Sequence, residues 1–322
     1  MAFIGREREL EALGAALQRA SEGEPTRVAV AGPLGIGISR LIDEMHHRVA
    51  RANGVTLLRA GCFPPLSGVP YGALRGALAE VLDGIADDRI EQLLGSAGHD
   101  IATLVPSVAA RLERLGIEVR RPRLDAPDQR GARVRESLFG VIGRLAAQKL
   151  VVLVIEDIEH SDPGTRHFVS ALLRVRRKLP LALVLGYHTD ELPRGHPALP
   201  LIREINDAAQ IEQLRLEPLT RDETSTLVED LQGERPTLGF VAAVMEGAGG
   251  NPLLASQLVA AEAELAGLRL SDPFDDVLLA RLSRFDSGTV RVLRVLAAAG
   301  RPVTPDELAR IRLPDGHLAR NA

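Results

Sequence analysis

Short apolar runs alternate with amphipathic stretches over residues 1–217. The most apolar run, Leu150–Ile155, contains only leucine, valine and isoleucine and is followed by two acids. A continuous apolar run is typical of a strand buried on both faces, as in a parallel sheet covered by helices. Further runs of this kind predict strands at residues 27–31, 55–59, 181–185 and 210–216. Because these strands alternate with helical segments, the pattern predicts an α/β fold.

Apolar residues at helical spacing predict the helices. Residues 7–20 carry Leu10, Leu13 and Leu17 on one face, and residues 39–52 and most of 71–148 also have helical patterns. After Pro218 the alternation stops and only helices are predicted, at residues 220–231, 236–247, 252–267, 274–283, 287–299 and 304–311. The chain therefore divides into an α/β part and an all-helical part.

Composition narrows the class of protein. The 322 residues are 45% hydrophobic and 25% charged, with a net charge of −4. This length is enough for about two domains. A slightly acidic chain without a long basic tail argues against a protein built mainly to hold nucleic acid. The aromatic content of 3% also argues against base-stacking surfaces.

The single cysteine and the N-terminus bear on location. Cys62 cannot form an internal disulfide or a cysteine-based zinc site, which fits a reducing compartment. The first residues lack the basic and then apolar order of a signal peptide. No run approaches the roughly 18 apolar residues that a membrane helix needs. We therefore expect a cytoplasmic protein that does not cross the membrane.

A glycine-rich segment follows the first predicted strand. Gly32–Ser39 matches the phosphate loop G-x-x-x-x-G-K-[ST] except at the lysine, where Ile38 stands. Such a loop turns backbone N–H groups and a helix N-terminus toward an anion, so part of the phosphate affinity needs no side chain. Gly35 and Gly37 would permit close approach of the backbone, and the Ser39 hydroxyl would face a magnesium ion.

The missing lysine weakens any phosphate site. The chain has two lysines, Lys149 and Lys178, and neither lies in the loop. Two unit charges about 4 Å apart interact by roughly 4 kcal/mol at an effective dielectric of about 20. Losing this interaction corresponds to about 100–1000-fold in affinity or transition-state stabilisation. Arg40 comes one residue too late to replace it, and a glycine-rich turn without a ligand is the alternative interpretation.

The two acids after the most apolar strand provide a second motif. Glu156 and Asp157 fit the strand end that holds magnesium and polarises the attacking water in P-loop NTPases. With Phe3–Glu7 and Gly250–Leu253, they make the chain resemble the AAA-type ATPase module of STAND signal-transduction ATPases, particularly that of the large ATP-binding LuxR-type transcription regulators. The resemblance extends over roughly residues 3–310.

The resemblance implies an adenine-nucleotide site with magnesium. Phe3–Glu7 is similar to a box beside the adenine and ribose, and Pro252 matches a lid proline that packs on the adenine. Leu185–His188 resembles a strand end that commonly reads T-Y-R and senses the γ-phosphate, with His188 in place of the arginine. The implied nucleotide-binding residues are Gly5, Arg6, Gly32, Gly35, Ile36, Gly37, Ile38, Ser39, Arg40, His188 and Pro252. Glu156 and Asp157 would be catalytic, and Ser39 and Glu156 would hold the magnesium ion.

Two departures from the family pattern affect the same function. Ile38 removes the cation for the β- and γ-phosphates, and His188 weakens γ-phosphate sensing because histidine is mostly neutral near pH 7. A third departure is His160, where the family usually has tryptophan. We therefore expect weak binding of ATP or ADP, with ADP preferred, and little or no hydrolysis. The alternatives are a scaffold that no longer binds nucleotide, a slow but active ATPase, and a DNA-binding initiator-type AAA protein, which the acidic charge disfavours.

The resemblance also implies three domains. These are a P-loop core at residues 1–217, a helical lid at 218–270 and a partial winged-helix-like region at 271–322. A complete winged helix needs a third helix and a β-wing, and the sensor repeats and terminal helix-turn-helix of the large regulators are not in this sequence. We therefore expect either a fragment or a truncated relative, without direct DNA binding. Its partner would be a regulatory protein or a second copy of itself.

Three other features have mainly structural interpretations. The arginine-rich stretch between residues 120 and 135 predicts a solvated, partly disordered loop. Cys62 is expected to be structural, because no histidine adjacent in sequence could activate it. Asp162 precedes Pro163, so it caps a helix or contacts the nucleotide, and the sequence leaves both roles open.

Overall fold

A computed structural model describes residues 2–50, 54–64, 67–118, 127–176, 178–264 and 285–299, together with positions 282, 303, 307 and 308. The chain separates into two compact units. The larger unit consists of Glu7–Gly32 and Ile38–Arg215. The smaller unit consists of the described residues of Met1–Arg6, Pro33–Gly37 and Leu216–Ala322.

A five-stranded parallel sheet forms the centre of the larger unit. Its strands are β1 (Thr26–Gly32), β2 (Val55–Gly61), β3 (Leu150–Glu156), β4 (Leu181–His188) and β5 (Glu212–Arg215), in the order β2-β3-β4-β1-β5. β1, β3 and β4 are interior strands and are buried along almost their whole length, which explains their continuous apolar runs. All five predicted strands are present, and the α/β fold class is confirmed.

Nine described helices complete the larger unit. They are α1 (Glu7–Ser21), α2 (Ile38–Ala50), α3 (Gly72–Asp83), α4 (Asp87–Leu94), α5 (Gly98–Leu104), α6 (Pro106–Arg114), α7 (Pro127–Ala146), α8 (Pro163–Leu173) and α9 (Leu199–Asp207). The apolar faces of most of them pack with the sheet into one hydrophobic core, in which Cys62 is buried as expected for a structural thiol. Burial raises the pKa of this thiol, so it stays protonated.

The arginine-rich stretch is partly helical, so the prediction of a loop through residue 135 was wrong. Residues 119–126 lie outside the described residues, but α7 begins at Pro127 and carries Arg130, Arg133 and Arg135. Proline is tolerated in the first turn of a helix, because the N–H that it lacks has no partner there. The Nε atom of Arg133 lies 3.0 Å from an oxygen of Asp100 on α5, which places this arginine in an ion pair.

The described part of the smaller unit is helical. It contains α10 (Arg221–Gln232), α11 (Leu238–Ala248), α12 (Pro252–Glu264) and α13 (Ser287–Ala299). α10, α11 and α12 share a second apolar core, with side chains such as Leu227, Val244 and Leu258. Four predicted helices are thereby confirmed. The segment at 274–283 lies almost wholly outside the described residues, as does most of 304–311, so the partial winged helix and the three-domain division stay predictions.

The register of the sheet places the candidate site residues at the ends of β1, β3 and β4 along one edge. Gly32 lies opposite His188 in the β1–β4 pair, and Gly61 lies opposite Glu156 in the β2–β3 pair. Because all strands run in the same direction, their carboxyl ends meet at this edge. None of the described helices is long and apolar enough to cross a membrane.

Asp162 acts as a structural cap in the described structure. Its carboxylate accepts hydrogen bonds from the backbone N–H of Thr165 at 3.1 Å and from that of Tyr71 at 2.8 Å. It also accepts the Thr165 hydroxyl. Asp162 is 2% exposed and stands at the N-cap of α8, so it satisfies a helix end and fixes the start of α3. Of the two roles that the sequence leaves open, the structure supports the cap.

We predict that Asp162→Ala lowers the free energy of unfolding by about 2–4 kcal/mol, because it removes an N-cap and leaves the buried N–H of Tyr71 unpaired. Urea unfolding followed by far-UV circular dichroism measures the change. The matched control is Thr237→Ala at the exposed N-cap of α11, where Phe240 N–H donates at 3.2 Å. Its cost should be only about 1 kcal/mol. Equal costs at the two caps would contradict the double role of Asp162.

Candidate functional site

The glycine-rich loop at residues 33–37 has left-handed backbone at two glycines. Gly35 has φ +80° and Gly37 has φ +106°, conformations that L side chains rarely adopt. A Cβ at Gly37 would meet no atom within 4 Å, so this side of its backbone is open. The next residue, Ile38, begins α2, whose first N–H groups have no partner within the helix. This local geometry is suited to an anion.

Three consecutive carbonyl groups of the loop accept hydrogen bonds from residues of the smaller unit that are far away in sequence. Leu34 O accepts from Asn251 Nδ2 at 2.8 Å, and Gly35 O accepts from Leu253 N–H at 3.3 Å. Ile36 O accepts from Arg6 Nη2 at 3.3 Å. These contacts bring together three motifs that are far apart in the sequence. We call this set of hydrogen bonds the loop clamp.

Glycines at the loop clamp are required by close packing. A Cβ at Gly35 would lie 2.8 Å from the Cβ atom of Leu253. At Gly5, next to Arg6, a Cβ would lie 2.7 Å from Oε1 of Glu223. Glu223 itself closes the capping box of α10 with Thr220. The N-terminal box, the segment entering α10 and the loop therefore fit one another within this unit, and Pro252 of the lid motif is the first residue of α12.

Ile38 fills the position of the missing lysine with buried apolar contact. It is 3% exposed. Its Cγ2 atom lies 3.1 Å from where a Cβ at Gly186 of β4 would be, and Ile42 lies 3.6 Å from that position. Ile38 is therefore part of the core of the larger unit. The neighbouring Ser39 and Arg40 are exposed.

The first acid of the strand-end motif is neutralised by an arginine. Glu156 is 5% exposed, and its Oε1 atom accepts from Nε of Arg59 on β2 at 2.6 Å. The same guanidinium pairs with Asp43 on α2. Burial alone would lower the pKa of Arg59, but the hydrogen bonds that it donates to Glu156 and Asp43 outweigh burial and raise that pKa. Arg59 is therefore a fixed cation between β2, β3 and α2.

This arrangement does not fit the magnesium site implied by the family resemblance. Magnesium takes octahedral oxygen ligands and keeps several waters. In the structure, the carboxylate of Glu156 is buried and already bonded to a guanidinium, whereas Ser39 is exposed. The two residues assigned to the ion therefore lack the accessible anionic oxygen that it needs.

Asp157, the second acid, lies in a strained and negative environment. Its backbone is left-handed, with φ +54°, which is uncommon for a residue other than glycine. Burial and then the nearby Glu159 carboxylate raise the pKa of Asp157 to about 6, although His188 acts in the opposite direction. A carboxyl group with such a pKa can exchange a proton near neutral pH.

His188 ends β4 and faces a buried acid. Its Nδ1 atom lies 2.8 Å from Oε1 of Glu159, which also accepts from the His188 backbone N–H. The hydrogen bond to Glu159 raises the pKa of His188 despite burial. The expectation of a mostly neutral histidine is thus opposed by its surroundings. Because the Nδ1 atom already contacts Glu159, this atom is not available to a phosphate.

Sequence reasoning missed Arg59, Asp43 and Glu159. Arg59 is a charged residue in a predicted strand, and that contrast was a usable signal because such a residue needs a partner when the strand is buried. Asp43 and Glu159 gave no such signal. Their roles depend on which side chains the sheet register brings next to them.

The comparisons with known proteins agree with this architecture. Residues 2–185 match the family model described as AAA ATPase domain. A curated relative, an uncharacterized protein of Rhizobium meliloti (strain 1021), is 28% identical over 345 residues. The match includes 97% of this chain but only 31% of the relative, so the chain spans about a third of that protein.

Two solved structures are similar to this chain. A signal transduction ATPase with numerous domains (STAND) from Pyrococcus horikoshii, which carries a tetratricopeptide repeat sensor, has a TM-score of 0.51 at 14% identity. The match covers 94% of this chain and 36% of that one. Cdc6p from Pyrobaculum aerophilum has a TM-score of 0.49 at 14% identity, with 95% of this chain and 79% of that chain covered. With more than half of its length matched by the family model, the chain belongs to the AAA ATPase domain family.

Proposed function

We propose that this chain is a regulatory adenine-nucleotide-binding module that holds ATP or ADP through the loop backbone and hydrolyses ATP little or not at all. The observation that carries the proposal is the state of the two positions at which the family resemblance implies a cation facing the phosphates. Ile38 is 3% exposed and packed in the core, and the Nδ1 atom of His188 lies 2.8 Å from Oε1 of Glu159. Neither position offers the phosphate-directed cation that the resemblance implies.

Backbone groups can still bind the phosphates. The left-handed glycines and the first N–H groups of α2 supply donors that need no side-chain charge. Removing a lysine costs about 100–1000-fold, so binding should be weak. His188, whose Nδ1 atom already contacts Glu159, adds no preference for the γ-phosphate. We therefore expect ADP to bind at least as well as ATP.

A regulatory role is supported by the loop clamp. Asn251, Leu253 and Arg6 bind the carbonyl oxygens of the same loop whose N–H groups would bind phosphate. A phosphate that moves the loop would therefore move the lid motif and the N-terminal box. We propose that this coupling serves signal transduction in a larger regulator of the STAND or LuxR type. The partner would be a second copy or a regulatory protein rather than DNA.

A scaffold that binds no nucleotide is the second candidate. It is favoured by the ion pair between Arg59 and Glu156, which already engages the acid assigned to magnesium. An active but slow ATPase is the third candidate, since Asp157 has a pKa of about 6 and could accept a proton. The two experiments below distinguish these alternatives.

The first experiment is calorimetric titration of the purified chain with ADP and with ATP, in magnesium and in EDTA, combined with a phosphate-release assay. We expect each nucleotide to bind as tightly in EDTA as in magnesium. Phosphate release should stay at background. Absence of binding would support the scaffold. Phosphate release that disappears in a Glu156→Gln, Asp157→Asn double variant would support the slow ATPase. Either result would contradict the proposal.

The second experiment restores the cation. Ile38→Lys should strengthen ATP binding by about 10–100-fold, because a lysine is long enough to extend out of this buried position and bring its ammonium group to the phosphates. Ile38→Met is the matched control, since methionine is also unbranched and similar in length but carries no charge. The titration is repeated with both variants. If the two substitutions change ATP affinity equally, the loop at residues 33–37 is not the phosphate site.

A further inference from the structure

Five side chains with metal-binding atoms lie together beside the ends of β3 and β4. They are Asp157, Glu159, His160, His188 and Glu191. One ligand atom each from Asp157, Glu159 and His188 lies within 4.8 Å of the others, and the same is true of Glu159, His160 and Glu191. Glu159 belongs to both sets and is therefore the centre of the cluster.

The distances suit a shared ion. The Nδ1 atom of His188 lies 2.8 Å from Oε1 of Glu159 and 3.5 Å from Oδ1 of Asp157. Nε2 of His160 lies 3.0 Å from Oε2 of Glu191. Ligand atoms bound to one ion at about 2.1 Å are separated by roughly 3.0–3.5 Å in octahedral or tetrahedral geometry. Only small side-chain movements would therefore be needed to bind an ion.

An unpartnered buried oxygen points to a ligand. Glu159 is 2% exposed, and its Oε1 atom accepts both the backbone N–H and Nδ1 of His188. Its Oε2 atom is buried and has no hydrogen-bond partner within the described part of the chain. A buried carboxylate oxygen without a partner is costly, so native structures usually satisfy it with a donor or an ion.

The charge of the cluster also favours a cation. Its carboxylates come from Asp157, Glu159 and Glu191, whereas its other two members are imidazoles. Crowded acids repel each other, and a divalent ion offsets this repulsion.

We propose that Asp157, Glu159 and His188 bind one divalent transition-metal ion, with water in the remaining positions and the His160–Glu191 pair beside it. Imidazole nitrogen favours zinc or cobalt over magnesium, which prefers oxygen ligands. The site is separate from the magnesium role that the resemblance gives to Ser39 and Glu156. It also does not depend on nucleotide binding. His188 and His160 are two of the positions at which the chain departs from the family pattern, and both belong to this cluster.

The test uses the whole chain after removal of metals with EDTA and dialysis. Zinc is titrated by calorimetry, and cobalt is titrated while visible absorption is followed. We expect one equivalent of each ion to bind and cobalt to develop ligand-field bands that show nitrogen coordination. Millimolar magnesium should not compete. His188→Gln and Glu159→Gln should each raise the Kd for zinc by at least about 100-fold, more than the loss of an outer-shell partner usually causes.

The control is His167→Gln, an exposed histidine on α8. It should bind zinc as the unmodified chain does. Far-UV circular dichroism identifies any variant that fails to fold. If Glu159→Gln fails to fold, His188→Gln still tests the proposal independently. Zinc affinity that is unchanged in folded His188→Gln would overturn the proposal, because the ion would then bind at surface histidines such as His46 and His47. The absence of zinc and cobalt binding would overturn it as well.

Discussion

The ion pair between Arg59 and Glu156 is the constraint on which the candidate site depends. A carboxylate that is 5% exposed is costly without a partner, since removing one member of a buried pair typically costs about 3–5 kcal/mol. In the parallel register of β2 and β3, Gly61 lies opposite Glu156. Arg59 is two residues before Gly61 on the same face of β2, so its side chain reaches Glu156. The second contact of Arg59, to Asp43, ties α2 to the same edge of the sheet. The positive charge next to Glu156 at this edge of the sheet thus comes from the protein itself, from Arg59.

This constraint changes what the glycine-rich loop can do. Ile38 lies in the core and Glu156 is paired with Arg59. The loop therefore has its backbone N–H groups but lacks the side-chain cation of the family pattern. The loop clamp then becomes the main fixed feature of the loop, because it holds the carbonyl oxygens of residues 34–36. In the function that we propose, the loop therefore binds nucleotide as a signal and does not supply the charge stabilisation that catalysis requires in the transition state.

Hydrophobic pattern was sufficient to predict the sheet and most helices, since buried parallel strands and amphipathic helices have distinct periodicities. The cap at Asp162 was one of two roles that its position before Pro163 allowed. The pairing of Glu156 with Arg59 was not predictable, because it depends on register between strands almost a hundred residues apart in sequence. The same is true of Glu159 and His188, whose contact requires adjacent parallel strands. Pattern indicates which positions are buried, whereas pairing of buried charges is a property of the tertiary structure.

The most direct measurement is a double-mutant cycle on the stability of Arg59→Met and Glu156→Gln. Arg59→Met should lower the free energy of unfolding by about 3–5 kcal/mol, and adding Glu156→Gln should recover much of this loss, because the buried charge is then removed. Arg19→Met, which breaks the more exposed pair with Glu212, should cost about 0–1 kcal/mol. If Arg59→Met costs no more than Arg19→Met, or if Glu156→Gln recovers nothing, Arg59 does not neutralise Glu156 and the account is wrong.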